Sequence, residues 1–195
     1  MRFKPLPADF YLNNTVEVAR QLLGKTIVRN YGKKILAGKI VETEAYIDKI
    51  DPASHSHPGI TKRNKPMFEK GGIAYIYFIY GNYYCFNIVT ERKGKGCAVL
   101  IRAAEPIEGI EYMKKNRGKT KSVYELTNGP AKLCLSFGID SKFNSISLRS
   151  SKLYIAEGKD ENFDIVTAKR VGITRGTEFE YRFYIKNNPF VSKSK

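Results

Sequence analysis

Residues 73–87 read IAYIYFIYGNYYCFN, and this stretch gives the clearest indication of the fold. It is dense in Tyr, Ile and Phe, which are enriched in β-strands, and the Gly81-Asn82 pair at its centre is typical of a two-residue hairpin turn. The stretch therefore predicts two antiparallel strands joined by a tight turn. Tyr80 and Tyr83 flank the turn, so we expect their rings to protrude from it.

Short strands are also predicted on both sides of this hairpin. Upstream, residues 25–30 and 35–46 read as two strands joined at residues 31–34. Downstream, residues 97–102 form a short apolar strand. The C-terminal third contains four more β segments: residues 153–156, 163–167, 170–173 and 180–185. Short strands joined by tight turns favour an antiparallel sheet.

Three helices are predicted from their end signals. The first follows Asn14, a helix-capping residue, and ends at Gly24. The second begins at Pro106, because proline suits the first turn of a helix, and the third begins at Pro130 and ends at Gly138. We therefore predict an α+β protein, a single mixed α/β domain with a mainly antiparallel sheet that spans residues 1–195.

The composition indicates a polyanionic partner. The chain has 34 Lys and Arg against 19 Asp and Glu, a formal net charge of +15. Such an excess favours nucleic acid or an anionic membrane. No apolar run approaches the roughly 18–20 residues that cross a bilayer, and residues 1–5 lack the apolar core of a secretory signal. We expect an intracellular protein of the cytoplasm or nucleoid that does not bind membranes.

The sequence offers little support for a cofactor or a metal. It has neither a P-loop nor a dinucleotide-binding G-x-G-x-x-G motif after a strand. The cysteines are widely spaced and form no C-x-x-C pair, so we expect reduced thiols at Cys85, Cys97 and Cys134. His55 and His57 lie in a polar loop, but a His-x-His pair alone is weak evidence for a metal site.

Two carboxylates in residues 35–46 are candidates for chemistry. Side chains two apart on a strand share a face, so Glu42, Glu44 and Tyr46 point the same way. Either both carboxylates pair with Lys or Arg on a solvated face, or one is partly buried and acts as a general base. The spacing does not say which glutamate that is. Arg102, in an apolar stretch, requires a carboxylate or phosphate partner.

Aromatic and basic residues suggest contact with nucleic acid. A tight turn cannot bury all five tyrosines of the hairpin stretch, and protruding rings are suited to stacking on bases. Basic residues gather in two segments: Lys62, Arg63, Lys65, Lys114, Lys115, Arg117, Lys119 and Lys121. These features also fit a non-catalytic nucleic-acid-binding module. A metal-dependent nuclease is a further alternative, with Glu42, Glu44, Asp48 and Asp51 as metal ligands.

Ordered blocks along the chain resemble the alkyladenine (3-methyladenine) DNA glycosylase family. The blocks are IVETEAY at 40–46, ASHS at 53–56, RN at 63–64, YGNYYCFN at 80–87, LIRA at 100–103, NGPAKLC at 128–134, RVGI at 170–173, RFY at 182–184 and NPFVS at 188–192. The resemblance covers about residues 9–192 and indicates a compact version of the family. It implies hydrolysis of the N-glycosidic bond of damaged purines in duplex DNA, without cofactor, metal or Schiff base.

The resemblance also implies roles for residues that would act on the flipped base. Glu44 would activate the attacking water as general base, with Arg102 beside it. The flipped base would be enclosed by four residues, through stacking on Tyr46 and Tyr77, a hydrogen bond at His55 and, at Asn87, crowding of the exocyclic amino group of guanine.

For the surface, the resemblance implies a curved sheet whose hairpin enters the DNA, with Tyr80 filling the gap left by the flipped nucleotide. The other DNA-binding residues would be Arg63, Asn82, Tyr83 and Lys132. Asn82 departs from the family, because some members carry an apolar residue at that position. We expect the protein to act as a monomer.

Overall fold

The computed structural model describes residues 3–193. Three α-helices lie in this part of the chain: α1 Thr15–Gln21, α2 Ile110–Arg117 and α3 Pro130–Phe137. The same residues contain eight strands: β1 Thr26–Tyr31, β2 Lys34–Tyr46, β3 Ala74–Ile79, β4 Tyr83–Val89, β5 Ala98–Glu108, β6 Leu153–Ala156, β7 Ile165–Ala168 and β8 Arg182–Ile185. Residues 1, 2, 194 and 195 of the predicted domain lie outside the described residues.

The strands form one antiparallel sheet around β2. The order is β3-β4-β5-β2-β1-β6, and β8 pairs with both β2 and β7. β5 runs along one edge of β2, whereas β1 and then β8 share the other edge, with β8 opposite Glu42, Thr43 and Glu44. The sheet curls into half a barrel. The prediction of a mixed α/β domain with a mainly antiparallel sheet is confirmed.

The predicted hairpin is present, but its turn is one residue longer than expected. β3 and β4 pair from Ala74↔Ile88 to Ile79↔Tyr83, so Tyr80, Gly81 and Asn82 form a three-residue connection. Tyr80 and Gly81 both have positive φ, 52° and 71°, which is uncommon for a residue with a side chain. Tyr80 is thus part of the turn, and its side chain is 82% exposed.

Two predicted elements are wrong. Pro106 lies inside β5, opposite Gly38 at an irregularity of the β2–β5 register, and α2 begins only at Ile110. A proline donates no ladder hydrogen bond, and such irregularities are where a sheet tolerates it. Residues 170–173 form no strand. Their backbone instead passes close to β2, where the Val171 N–H donates to Glu44.

The start of α1 and both ends of α3 agree with the sequence signals. The Asn14 side chain accepts a hydrogen bond from the backbone N–H of Val16 at 3.0 Å, but α1 ends at Gln21, before the predicted stop at Gly24. α3 begins at Pro130 and is followed by the capping residue Gly138, which has φ 62°. α3 packs against β4 and β5, and α1 packs against β2. Among residues 3–193, no helix combines the length and the hydrophobicity that a membrane span needs.

Candidate active site

A cavity of about 800 Å³ opens between the hairpin, the N-terminus of α3 and the loop at residues 171–175. Seven of the predicted site residues line it: Tyr46, His55, Tyr77, Tyr80, Asn87, Arg102 and Lys132. The sheet places them together because β2, β3, β4 and β5 all contribute to its wall. Glu44 lies behind this wall, whereas Arg63, Asn82 and Tyr83 lie outside the cavity lining.

Glu44 is fully buried, and its hydrogen-bond partners all line the cavity. Its Oε2 accepts from the Tyr46 hydroxyl at 2.9 Å, its Oε1 accepts from the Val171 N–H at 2.8 Å, and Arg102 Nη1 lies 3.4 Å away. Burial raises the pKa of Glu44, and the Arg102 charge and the hydrogen bonds to Val171 and Tyr46 oppose this rise. Glu44 is therefore a poorly solvated carboxylate whose partners, but not its own side chain, line the cavity.

Glu42 is also fully buried, but it is occupied by structural partners. Its Oε1 accepts from Arg182 Nε at 2.6 Å and from the Ser192 hydroxyl at 2.9 Å, and its Oε2 accepts from the Ser192 N–H at 2.8 Å. The alternative of two carboxylates on a solvated face is therefore wrong. The Glu44 partners Tyr46, Arg102 and Val171 all line the cavity, whereas Arg182 and Ser192 do not, so Glu44 is the better placed of the two for chemistry.

Arg102 connects the two carboxylates. Its Nη1 donates to Glu44 at 3.4 Å, and its Nε lies 3.3 Å from Glu42 Oε1. The side chain is mostly buried, yet it reaches the cavity wall. The prediction that this arginine needs a carboxylate partner is confirmed, and the structure supplies two.

Tyr46 is held in place by a buried ion pair that the sequence reasoning did not identify. The Arg170 guanidinium lies 4.7 Å from the centre of the Tyr46 ring. Two of its nitrogens bind the two oxygens of Asp51 at 2.5 and 2.7 Å, and both side chains are completely buried. Arg170 lies within the RVGI block at 170–173, but no sequence pattern connects it to its partner 119 residues away.

Another part of the cavity lining is built from stacked rings. The His55 and Tyr77 rings are stacked, with centroids 3.8 Å apart, and the Arg63 guanidinium lies 4.0 Å from the Tyr77 centroid. His55 and Arg63 thus both pack against the Tyr77 ring.

His55 is oriented by Tyr75, another residue that the sequence reasoning passed over. The Tyr75 hydroxyl lies 3.2 Å from His55 Nδ1. Burial and then the nearby Arg63 charge lower the pKa of His55, so its ring is neutral at neutral pH. Asn87, which lines the same cavity, is fixed because its Nδ2 donates to the Tyr75 carbonyl at 3.1 Å and to the Cys85 carbonyl at 3.4 Å.

The mouth of the cavity carries exposed aromatic and basic groups. Tyr80, Asn82 and Tyr83 are exposed at the hairpin tip. Lys132 lies on the first turn of α3, where its Nζ donates to Asn128 Oδ1 at 2.8 Å. Arg175 also lines the cavity. An aromatic tip flanked by cations suits contact with a polyanion that carries bases.

The ligand set of the metal-nuclease alternative is not assembled. Asp51 uses both oxygens on Arg170, and Glu42 is occupied by Arg182 and Ser192. Across residues 3–193, His, Cys, Asp and Glu side chains nowhere gather in groups of three that could hold an ion. Asp48 and His57 therefore have no metal-binding neighbours of this kind in the described part of the chain.

The comparisons with known proteins agree on one class. The sequence model of the methylpurine-DNA glycosylase family matches residues 9–189. A protein of Carboxydothermus hydrogenoformans is 50% identical over 96% of this chain and 98% of its own length, and one of Clostridium botulinum is 46% identical over the same shares. A protein of Francisella tularensis is 49% identical over 92% of this chain and 94% of its own length. All three carry the provisional name 3-methyladenine DNA glycosylase.

Together, the near-complete match and the cavity define a DNA glycosylase, a DNA-repair hydrolase that acts on N-glycosyl bonds. More narrowly, the chain belongs to the methylpurine-DNA glycosylase family. The family resemblance found in the sequence blocks is thereby confirmed.

Proposed function

We propose that this protein is a monofunctional glycosylase that flips alkylated or deaminated purines out of duplex DNA and leaves an abasic site. The observation that carries the proposal is the fully buried Glu44, whose partners Tyr46, Arg102 and Val171 all line an aromatic cavity. The relatives' names support an alkylated purine as substrate, since 3-methyladenine is one.

Recognition begins with extrusion of the base. Taking a base out of the stack costs a few kcal/mol, and the cost is lowest for damaged or mismatched bases. The flipped base would enter between the Tyr46 ring on one wall and the stacked His55–Tyr77 pair on the other. An alkylated purine carries positive charge, which aromatic faces attract as in a cation–π contact. The neutral His55 ring can also hydrogen-bond the base without repelling that charge.

Asn87 provides selectivity within the same cavity. Its amide is held by two backbone carbonyls, so it cannot swing away from an incoming base. Guanine carries an exocyclic amino group at C2, a position at which adenine and hypoxanthine have none. We propose that the fixed Asn87 side chain crowds this group and so disfavours undamaged guanine.

Hydrolysis follows from the position of Glu44. The ionised carboxylate takes a proton from a water as the water oxygen bonds to C1′ of the sugar, and the C1′–N bond breaks with its electron pair going to the purine. The negative charge of Glu44 also stabilises the positive charge that develops on the sugar. A cationic alkylated purine departs as a neutral base, which makes it a good leaving group. Arg102 holds the Glu44 carboxylate in place throughout.

The hairpin and the positive charge would hold the duplex. Tyr80, the most exposed ring at the tip, would fill the gap left by the flipped nucleotide, where stacking is worth roughly 1–3 kcal/mol. Asn82 and Tyr83 flank it, and the cations Arg63 and Lys132 would meet phosphates. We propose that the protein works as a monomer on double-stranded DNA in the cytoplasm or nucleoid.

The product of the wild-type reaction tests this proposal. Duplex DNA with one hypoxanthine, and separately methylated DNA, is incubated with excess protein in EDTA, and free base and strand breaks are measured. We expect free base, strands that remain intact until alkali is added, and no covalent complex after borohydride. Strand cleavage that appears only when Mg²⁺ replaces the EDTA would establish the nuclease alternative, and tight binding without base release would establish the binding module.

A further inference from the structure

Ser192 lies where the two buried carboxylates meet Arg102. Its hydroxyl donates to Glu42 Oε1 at 2.9 Å and accepts from Arg102 Nε at 3.4 Å and Nη2 at 3.3 Å. Its N–H donates to Glu42 Oε2 at 2.8 Å, and its carbonyl accepts from Arg182 Nη2 at 3.3 Å. One residue close to the C-terminus therefore uses its hydroxyl, its N–H and its carbonyl in the same buried network.

We propose that Ser192 is a positioning residue for the hydrolysis: its hydroxyl holds the Arg102 guanidinium in the orientation that presents Nη1 to Glu44. This inference rests on the function proposed above. Ser192 does not line the cavity and touches neither Glu44 nor the space for the base. Its effect on the reaction must therefore pass through Arg102.

The geometry of Arg102 shows why a hydroxyl is needed. In the described part of the chain, Nη2 donates to the Ser192 hydroxyl alone, and Nη1 donates to Glu44 alone. Nε lies near both Glu42 and Ser192. Without the hydroxyl, Nη2 has no acceptor, and the guanidinium is free to turn towards Glu42. That turn would lengthen the contact between Nη1 and Glu44, which is already 3.4 Å.

The charge of Arg102 affects the protonation of Glu44. Burial raises the Glu44 pKa, and Arg102 is the largest influence that lowers it. The other polar and titratable groups around this carboxylate come from β2, β4, β8 and the loop after β7: Glu42, Tyr46, Cys85, Arg182 and Arg170, with the Val171 N–H. Loss of the Ser192 hydroxyl should displace Arg102 more than any of these groups, because Arg102 donates to that hydroxyl directly. Loss of the hydroxyl should therefore raise the Glu44 pKa further.

The first test needs no activity. The Glu44 side-chain carboxyl is titrated by ¹³C NMR in the wild type, Ser192→Ala, Ser192→Thr and Ser136→Ala. Ser136 is the matched control, since it is fully buried and donates to the Leu126 carbonyl at 2.6 Å without contacting either glutamate. We expect the Glu44 pKa to rise in Ser192→Ala only, and to return in Ser192→Thr, which keeps a hydroxyl. An unchanged titration in folded Ser192→Ala would overturn the proposal.

The second test measures catalysis on the same four proteins. Single-turnover base release should fall on the order of 10- to 100-fold in Ser192→Ala, as expected for a slightly misplaced catalytic group. The acid limb of the pH–rate profile of Ser192→Ala should shift to higher pH, while its DNA affinity stays within twofold of that of the wild type. A uniform rate loss at all pH values would indicate a purely structural role and contradict the proposal. If Ser192→Ala does not fold, Ser192→Cys takes its place, with the same expected directions.

The proposed function and the role of Ser192 can be refuted independently of each other. Absence of base release from the wild type would refute the proposed function, whereas the carboxyl titration would still decide whether Ser192 positions Arg102. A wild type that releases base, with Ser192→Ala unchanged in titration and pH profile, would leave the function standing and refute the role of Ser192.

Discussion

Replacing Asp51 by Asn removes the charge that compensates the buried Arg170 guanidinium. Both side chains are completely inaccessible to solvent, and the pair is bidentate at 2.5 and 2.7 Å. Arginine cannot shed its proton in a protein, so Arg170 stays charged in the variant. Two backbone carbonyls, of Ala45 at 2.9 Å and Gly176 at 3.2 Å, would remain as its acceptors. Dipoles do not replace a full negative charge in a buried site.

The expected magnitude follows from burial. Breaking one side of a buried ion pair costs about 3–5 kcal/mol, because the remaining charge stays desolvated. For a chain of this size each kcal/mol lowers Tm by about 2–4 °C, so the loss corresponds to roughly 6–20 °C. Tyr46 should also lose its fixed position, because the Arg170 guanidinium that lies over its ring would shift. Base release should therefore decrease even at temperatures where the variant is folded.

Urea and thermal unfolding followed by far-ultraviolet circular dichroism measure this loss. Glu111→Gln is the matched control, because the Glu111–Lys114 pair has a similar distance, 2.7 Å, but Glu111 is 80% exposed. An exposed pair of this kind is worth at most about 0.5 kcal/mol. If Asp51→Asn destabilised the protein no more than Glu111→Gln does, the buried pair would not support the Tyr46 wall, and this reasoning would be refuted.

Two further predictions concern pH and the hairpin. Only the ionised Glu44 can accept a proton, and burial raises its pKa. In single-turnover pH profiles, the rate of base release should therefore increase as pH rises through a pKa above the ordinary glutamate range. A rate that is flat from acid to neutral pH would contradict the role of Glu44 as the base. Tyr80→Ala should weaken binding to lesion-containing duplex by roughly 1–3 kcal/mol in titrations, since it removes one stacking ring, whereas Tyr124→Ala, an exposed tyrosine outside the hairpin, should not. Equal effects of the two variants would argue against insertion of the hairpin.

Local signals were sufficient for much of the fold. The hairpin at residues 73–87 was predictable because its aromatic strands and its Gly81-Asn82 turn act within a few residues of each other. Only the turn length was missed, since Tyr80 adopts a positive φ that its residue type does not favour. Pro106 was misplaced in a helix, because its position in β5 depends on the irregular pairing with β2. That pairing is a long-range feature that local propensity does not contain.

The difference between local signals and long-range contacts also explains which features of the candidate site were predictable from the sequence. Spacing placed Glu42 and Glu44 on one face but left their roles open. The two glutamates differ in their partners. Glu42 is bound by Arg182 and Ser192, which lie 140 and 150 residues away from it in the chain. The composition of residues 170–173 predicts a strand, yet the Val171 N–H donates to the buried Glu44 carboxylate. Contacts of this range follow from the folded sheet and are absent from any local pattern.

The most direct test of the account compares Glu44→Gln with the wild type in single-turnover base release and in DNA binding. The amide keeps the size of the side chain but cannot take a proton, so release should fall by at least about 100-fold while affinity for lesion-containing duplex is retained. Release at the wild-type rate by a folded Glu44→Gln variant would contradict the central claim that this buried carboxylate activates the attacking water.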